Sequence, residues 1–331
     1  MTAHSYTPTV KKKIGIIGGA GYTAGELLRL LINHPEVEVS FVHSSSNAGR
    51  PVAEVHQDLI GETDLVFSDT HPLDGIDILF LCQAHGQSRR FWEENPRPAG
   101  LKVIDLAQDY RDQSCGYVYG LPEVNLHRIA GADSVANPGC FATALQLSLL
   151  PLAAAGLLPD SGIEITALTG STGAGVKPGA TTHFSWRSGN ISVYKPFTHQ
   201  HLTEIGMTLR QLQPGFGGEI HFVPVRGDFA RGIFAMTHLD CPLSEQEVVK
   251  LYKDYYAAAP FAVVSDAPVS LKQAVNTNKA VIHVEKHGSR LLITCAEDNL
   301  LKGASGQAVQ NMNIMEGWDQ RSGLNLKPSA F

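Results

Sequence analysis

The chain has no apolar run approaching the roughly 20 residues needed to span a bilayer, so no membrane segment is expected. It has no CxxC pair. Its five cysteines, at 82, 115, 140, 241 and 295, are too few and too scattered for a disulfide framework or a structural zinc. A reduced, cytoplasmic protein without bound metal is the expectation. Basic residues are dispersed and the net charge is −6, which argues against nucleic-acid binding. There is no internal repeat and no low-complexity linker. The opening MTAHSYTPTVKKKIGIIGG sets basic residues before an apolar stretch. That stretch is short, meets glycine at once and has no credible cleavage site, so Lys11–Lys13 read as the lead-in to a strand rather than part of a signal peptide.

What is present is a globular balance, 43% hydrophobic and 18% charged, over 331 residues, too many for one ordinary core. Strand and helix patterns alternate in the first part. Strands are expected at Lys13–Gly18, Val37–His43, Asp77–Cys82 and Lys102–Leu106, with helices at Gly25–Asn33 and Gln87–Glu94. Such alternation with apolar strands predicts a doubly wound, Rossmann-type parallel sheet, an α/β fold. The second part offers strands at Gly162–Thr169, Glu219–Val225, Gly232–Asp240, Lys279–Lys286 and Arg290–Ala296, the last two joined as a hairpin. Helices are expected at Leu202–Leu212 and Glu245–Ala258, and a final one at Gly303–Ile314. This half reads as an α+β domain on a mostly antiparallel sheet.

Two local patterns carry chemistry. In Gly18-Gly19-Ala20-Gly21-Tyr22-Thr23 a strand enters a glycine turn and a helix leaves it. Glycines let a pyrophosphate approach the backbone, and the helix start offers free N–H groups to it. The alternative is a tight turn that binds nothing. Dinucleotide sites that prefer NAD carry an acid after the second strand. Here that strand runs into Ser44, Ser45, Ser46, Asn47 and Arg50 with no acid, a set suited to the 2′-phosphate of NADP. The other pattern is Asn137-Pro138-Gly139-Cys140 ahead of a strongly helical apolar run. It puts Cys140 at a helix start, where dipole and free amides favour a thiolate nucleophile and could hold an oxyanion. The alternative is a small buried hydrophobe, the reading given to Cys82, Cys241 and Cys295. An acid/base partner is most simply a histidine, and the stretch from His199 to Glu204 stands out among fourteen histidines.

Gly18–Thr23, Ser46-Asn47-Ala48-Gly49, Val103–Leu106, Asp109-Tyr110-Arg111, Tyr119-Gly120-Leu121-Pro122-Glu123, Asn137–Cys140 and Asp298–Ala308 occur in that order. Together they resemble the N-acetyl-gamma-glutamyl-phosphate reductase family from near residue 13 to near residue 314. The resemblance implies an NADP-binding Rossmann domain over 1–139 and 302–331, the last helix returning to it, and a catalytic and dimerisation domain over 140–301. It implies a homo-oligomer, dimer or tetramer. It makes Cys140 the nucleophile and aligns the family's His-Arg-His-x-Pro-Glu-Ile with His199-Gln200-His201-Leu202-Thr203-Glu204-Ile205, departing at Gln200 and Thr203. By that match His201 is the acid/base with His199 as fallback, and His199, Glu204, Asn137 and Gly139 lie at the substrate. Arg111 would grip the acyl phosphate, the alternative being a surface ion pair with Asp112. Gly303, in Lys302-Gly303-Ala304, would lie by the nicotinamide.

The reaction so implied is NADPH-dependent conversion of an N-acyl-γ-glutamyl phosphate to the semialdehyde and inorganic phosphate through a thioester on Cys140, in arginine biosynthesis. The acyl group, acetyl or succinyl, is left open, with Thr181–Tyr194 a place where the choice could be made. The alternatives are an aspartate-semialdehyde dehydrogenase and a non-enzymatic NADP-binding sensor with Cys140 merely buried.

Overall fold

A computed structural model describes residues 10–329. Residues 1–9, the opening ahead of the Lys11–Lys13 lead-in, and residues 330–331, the end of the span expected to rejoin the Rossmann domain, lie outside the described residues. The first seven strands are β1 Lys12–Ile17, β2 Val37–His43, β3 Phe67–Ser68, β4 Ile78–Leu81, β5 Lys102–Asp105, β6 Val118–Tyr119 and β7 Ser134–Ala136. They form one parallel sheet in the order β3-β2-β1-β4-β5-β7-β6. Its helices are α1 Tyr22–Leu31, α2 Val52–Val55, α3 Gln87–Glu94 and α4 Pro122–Ala130. The strand order reverses between β1 and β4, so a crevice opens beyond their carboxyl ends, where doubly wound sheets bind ligands.

Helix α5, Cys140–Ala154, leads into the second half. It is apolar all round and buried from Phe141 to Ala153, as expected of a central helix rather than a surface one. The second sheet has β8 Ile163–Thr169, β9 Ser192–Val193, β10 Ile220–Arg226, β11 Ile233–Asp240, β12 Ala262–Val264, β13 Ala280–His287 and β14 Arg290–Glu297. Its order is β12-β13-β14-β11-β8-β10-β9, antiparallel except at β12–β13 and β8–β10. The remaining helices are α6 Phe184–Arg187, α7 His201–Leu212, α8 Glu245–Tyr256 and α9 Gly306–Met315. Helix α5 packs between this sheet and α7 and α8. Leu145, Leu147, Leu149, Leu150 and Leu152 are fully buried there, each contributing about 1.5–3 kcal/mol. That packing anchors the helix whose first residue is Cys140.

Most expected elements form within a few residues of their sequence positions. Helix α1 starts three residues before the leucine pattern, at Tyr22, because leucines mark only the buried face. Helix α4 and strands β3, β6, β7, β9 and β12 were not expected; at two or three residues the strands are too short to show alternation. The last helix is two pieces, a π-helical turn at Leu301–Ser305 and then α9. Ala308, Val309 and Met312 of α9 join the core of the first sheet with Ile14, Leu27 and Phe80. All five cysteines are free, and no helix among the described residues is long and apolar enough to cross a membrane.

Candidate active site

A cavity of about 830 Å³ lies where the two halves meet, lined by the turn after β1, the segment after β4, the start of α5 and the loops before α7. Gly21, Tyr22 and Thr23 reach it, as do Asn137, Gly139, Cys140, His199, His201, Gly303 and Arg111. The glycine turn is shaped by sterics. Gly18 has φ +81°, and a Cβ there would meet the Cys82 carbonyl at 2.8 Å. A Cβ on Gly19 would strike Val42, whereas one on Gly21, the N-cap of α1, would meet nothing closer than 3.8 Å. The first two glycines are required by the fold, and the third leaves room for a ligand above the helix start, so the turn fits a dinucleotide pyrophosphate. After β2, Asn47 Nδ2 donates to Ser44 Oγ at 3.3 Å and to Ser46 Oγ at 3.1 Å. Arg50 reaches Asn47 Oδ1 at 3.0 Å and pairs with Glu54 of α2. Hydroxyls, amide and guanidinium therefore cluster, with one acid that the loop's own sequence does not show.

Cys140 is the first residue of α5 and is half-buried, as the Asn-Pro-Gly turn predicts. Its acidity departs from expectation. Burial pushes the thiol up to about 11 and the neighbouring Glu297 adds to the rise, while the Phe141 amide and Arg111 pull only partly against it. The dipole does not win here because the low dielectric penalises the thiolate more than one helix start favours it. His201 packs its ring edge on Gly139. Burial, then Arg111, hold its pKa well below the usual histidine range, so it is a neutral imidazole at rest. Its Nδ1 is buried and unpartnered. His199 stands edge-to-face on His201 at 4.5 Å and is lowered to about 4 by burial, Lys195 and Arg226.

Four expected substrate contacts, Arg111, Glu204, Gly139 and Asn137, are engaged elsewhere. Arg111 is buried, and its Nε bonds the Asn137 carbonyl at 2.9 Å, one terminal nitrogen Glu204 at 3.0 Å and the other the Leu106 carbonyl at 3.2 Å. It is neither the surface partner of Asp112, which pairs with Arg89, nor a free phosphate fork. Glu204 faces protein groups: besides Arg111 it accepts from Tyr119 Oη at 2.6 Å and from the Gly139 amide at 3.1 Å. The Gly139 N–H is therefore not open to an oxyanion. The Asn137 side chain joins Ala304 and Asn311. These groups clamp the Pro138–Cys140 turn, because three buried donors converge on one carboxylate whose charge Arg111 offsets. Gly303 lies beneath the nucleophile, and a Cβ there would sit 2.9 Å from both Cys140 Cβ and Glu297 Oε1. Its neighbour Lys302 turns away into a fully buried cluster with Glu123, Gln307 and Gln310. That cluster links the Tyr-Gly-Leu-Pro-Glu motif to the last helix.

Sequence reasoning missed several groups at the site: Lys195 and Arg226, which line the cavity with Tyr194 at the end of the Thr181–Tyr194 loop already singled out, His85 after β4, and Glu297 behind Cys140, whose carboxyl is fully buried with neither oxygen partnered. Only Arg226, at the carboxyl end of a strand, had a readable signal. Arg231 also escaped notice. It bonds Asp298 bidentately at 3.1 Å and pairs with Glu26 of α1, tying the nucleotide helix to the catalytic half.

Residues 13–132 match the family model for the semialdehyde dehydrogenase NAD binding domain, and residues 140–299 that for the semialdehyde dehydrogenase dimerisation domain. The N-acetyl-gamma-glutamyl-phosphate reductases of Phocaeicola vulgatus and Bacteroides thetaiotaomicron are 58% and 57% identical over 321 residues, covering 96% of this chain and 99% of each relative. Among solved structures, aspartate semialdehyde dehydrogenase II from Vibrio cholerae complexed with ASA, and aspartate semialdehyde dehydrogenase with NADP from Candida albicans, each superpose with TM-score 0.70 at 16% identity. Each match covers 93% of this chain and 99% of the other. At that identity the likeness shows the fold alone.

Proposed function

We infer the reaction from the family to which the chain belongs, the N-acetyl-gamma-glutamyl-phosphate reductases, and from the cavity around Cys140. It is the NADPH-dependent reductive dephosphorylation of an N-acyl-γ-glutamyl phosphate to the N-acyl-glutamate semialdehyde, in arginine biosynthesis. The observation that carries it is one cavity shared by Cys140, a neutral buried His201 and the glycine turn before α1.

Cys140 Sγ bonds to the γ-carbonyl carbon and its proton passes to His201 as phosphate departs with the C–O electrons. With the thiol held near 11 and the imidazole neutral, proton transfer accompanies attack rather than preceding it. The amides in the first turn of α5, Cys140 and Phe141, hold the oxyanion in place of Gly139. Gly18, Gly19, Ala20, Gly21, Tyr22 and Thr23 would hold the pyrophosphate of NADPH, with Ser44, Ser46 and Arg50 toward its 2′-phosphate and Gly303 toward its nicotinamide, and the bound dinucleotide would supply a hydride to the thioester carbon. Reduction of the thioester would leave a hemithioacetal alkoxide on Cys140, held by the same α5 amides. His201 returns the proton as the C–S bond breaks and the aldehyde leaves. Arg111, Asn137 and Glu204 position the Cys140 turn, and His199 backs His201. Residues 10–139 with 302–329 serve the nucleotide and 140–301 the chemistry, in a homo-oligomer whose size light scattering would give.

The test is phosphate-dependent reduction of NADP with N-acetylglutamate semialdehyde, its N-succinyl analogue and aspartate semialdehyde. Turnover of a glutamate-derived substrate only with phosphate supports the reading, and the better substrate names the acyl group. Preference for aspartate semialdehyde overturns it, as does NADP binding with no turnover of any.

A further inference from the structure

The cavity around Cys140 is lined by four cations, Arg111, Lys177, Lys195 and Arg226, and, among the described residues, by no aspartate or glutamate. This is unusual in a chain whose net charge is −6. Arg111 is offset by Glu204. The other three have no carboxylate partner among the described residues. Lys177 is exposed, and Lys195 Nζ bonds the neutral Gln200 amide at 3.0 Å. Arg226 differs from both. It ends β10, held in register by β8 on one side and β9 on the other. Its guanidinium lies 4.5 Å over the Tyr194 ring, and its Nε is buried without a partner. Tyr194 in turn stands 5.9 Å from His199, and His199 is 4.5 Å from His201. A guanidinium fixed on an aromatic face, lining an acid-free cavity and with one donor unpartnered, is built for a planar oxyanion.

Resting on the reaction proposed above, we propose that Arg226, stacked on Tyr194, binds the α-carboxylate of the substrate and so sets how the γ-carbon is presented to Cys140. Arg111, each of whose three nitrogens already bonds a protein oxygen and whose charge Glu204 offsets, has no free edge for this. The mobile point charges of Lys177 and Lys195 suit the departing phosphate better than a bidentate carboxylate contact. Ring contacts through Tyr194, His199 and His201 connect Arg226 to Gly139, the residue before the nucleophile.

The test crosses enzyme with substrate. Wild type, Arg226→Ala and Arg226→Lys are assayed with N-acetylglutamate semialdehyde and with its α-carboxamide analogue, alongside KM for phosphate and NADP and the alkylation rate of Cys140 by iodoacetamide. Wild type should prefer the carboxylate in kcat/KM by roughly 10–100-fold, the range of a charge-assisted contact. Arg226→Ala should abolish that preference by raising KM for the carboxylate substrate alone. Arg226→Lys should recover part of it. KM for phosphate and NADP and the alkylation rate should stay unchanged, which separates recognition from misfolding. If Arg226→Ala keeps the wild-type preference, or raises KM for phosphate instead, the inference is overturned while the reaction stands. If wild type turns over neither semialdehyde, the reaction reading fails and takes the inference with it.

Discussion

Glu204→Ala tests the idea that a buried carboxylate, rather than a substrate contact, holds the catalytic turn. Three donors converge on Glu204: Arg111 at 3.0 Å, Tyr119 Oη at 2.6 Å and the Gly139 amide at 3.1 Å. Its removal leaves a buried guanidinium without its counter-charge, which costs about 3–5 kcal/mol. The orphaned Gly139 amide adds to that; the Tyr119 hydroxyl keeps only the donor from Gln146. With a loss of about 2–4 °C for each kcal/mol in a domain this size, thermal unfolding should fall by roughly 6–20 °C. Because Gly139 precedes the nucleophile, kcat should drop on the order of 100-fold, the effect of displacing a reacting atom by about 1 Å. The double variant Arg111→Met/Glu204→Leu removes both charges, so most of the lost stability should return, while turnover should not, since Gly139 still lacks its acceptor. Scanning calorimetry with steady-state kinetics on the three proteins reads both quantities. A single variant within about 1 kcal/mol of the parent in stability and within twofold in kcat would refute the clamp.

Cys140→Ala should abolish phosphate-dependent turnover while NADPH still binds, as followed by its fluorescence; substantial residual turnover would remove Cys140 from the mechanism. Alkylation of Cys140 in the free protein should climb with pH toward a midpoint near 11; because burial holds the Glu297 carboxyl well above the usual carboxylate range, its charge bears on the thiol only at alkaline pH, where Glu297→Gln should lower that midpoint, and an unchanged midpoint in the variant would refute the coupling. His199, lowered to about 4 from 6.5, contributes stability that is full above pH 6.5 and lost as pH falls toward 4. The melting temperature should drop over that window, and less steeply in His199→Gln. Gly303→Ala should slow turnover on the order of 100-fold by pressing a Cβ against Cys140 at 2.9 Å, with the unfolding temperature as the control; wild-type kcat would show the contact to be slack.

The sequence by itself determined the elements and the chemical types. Lys12–Ile17 with its glycine turn, Val37–His43, the apolar run after Cys140 and the hairpin at β13–β14 are local patterns of period and punctuation, and they announce themselves without partners. So do a cysteine at a helix start and a polar loop lacking an acid after β2. The tertiary structure decided which charges are spent. Arg111 and Glu204 stand 93 positions apart, and only the fold brings them together; from the chain alone each reads as a substrate contact. It decided that the Cys140 thiol is raised, since burial and Glu297, a residue 157 positions away, outweigh the helix start that the sequence displays. It sent Lys302 to Glu123 and left Gly303 alone beneath the nucleophile. And it set Arg226 over Tyr194 in a cavity without acids. Periodicity is a property of neighbours along the chain, whereas acidity and charge pairing depend on groups and on solvent exclusion that only long-range packing supplies.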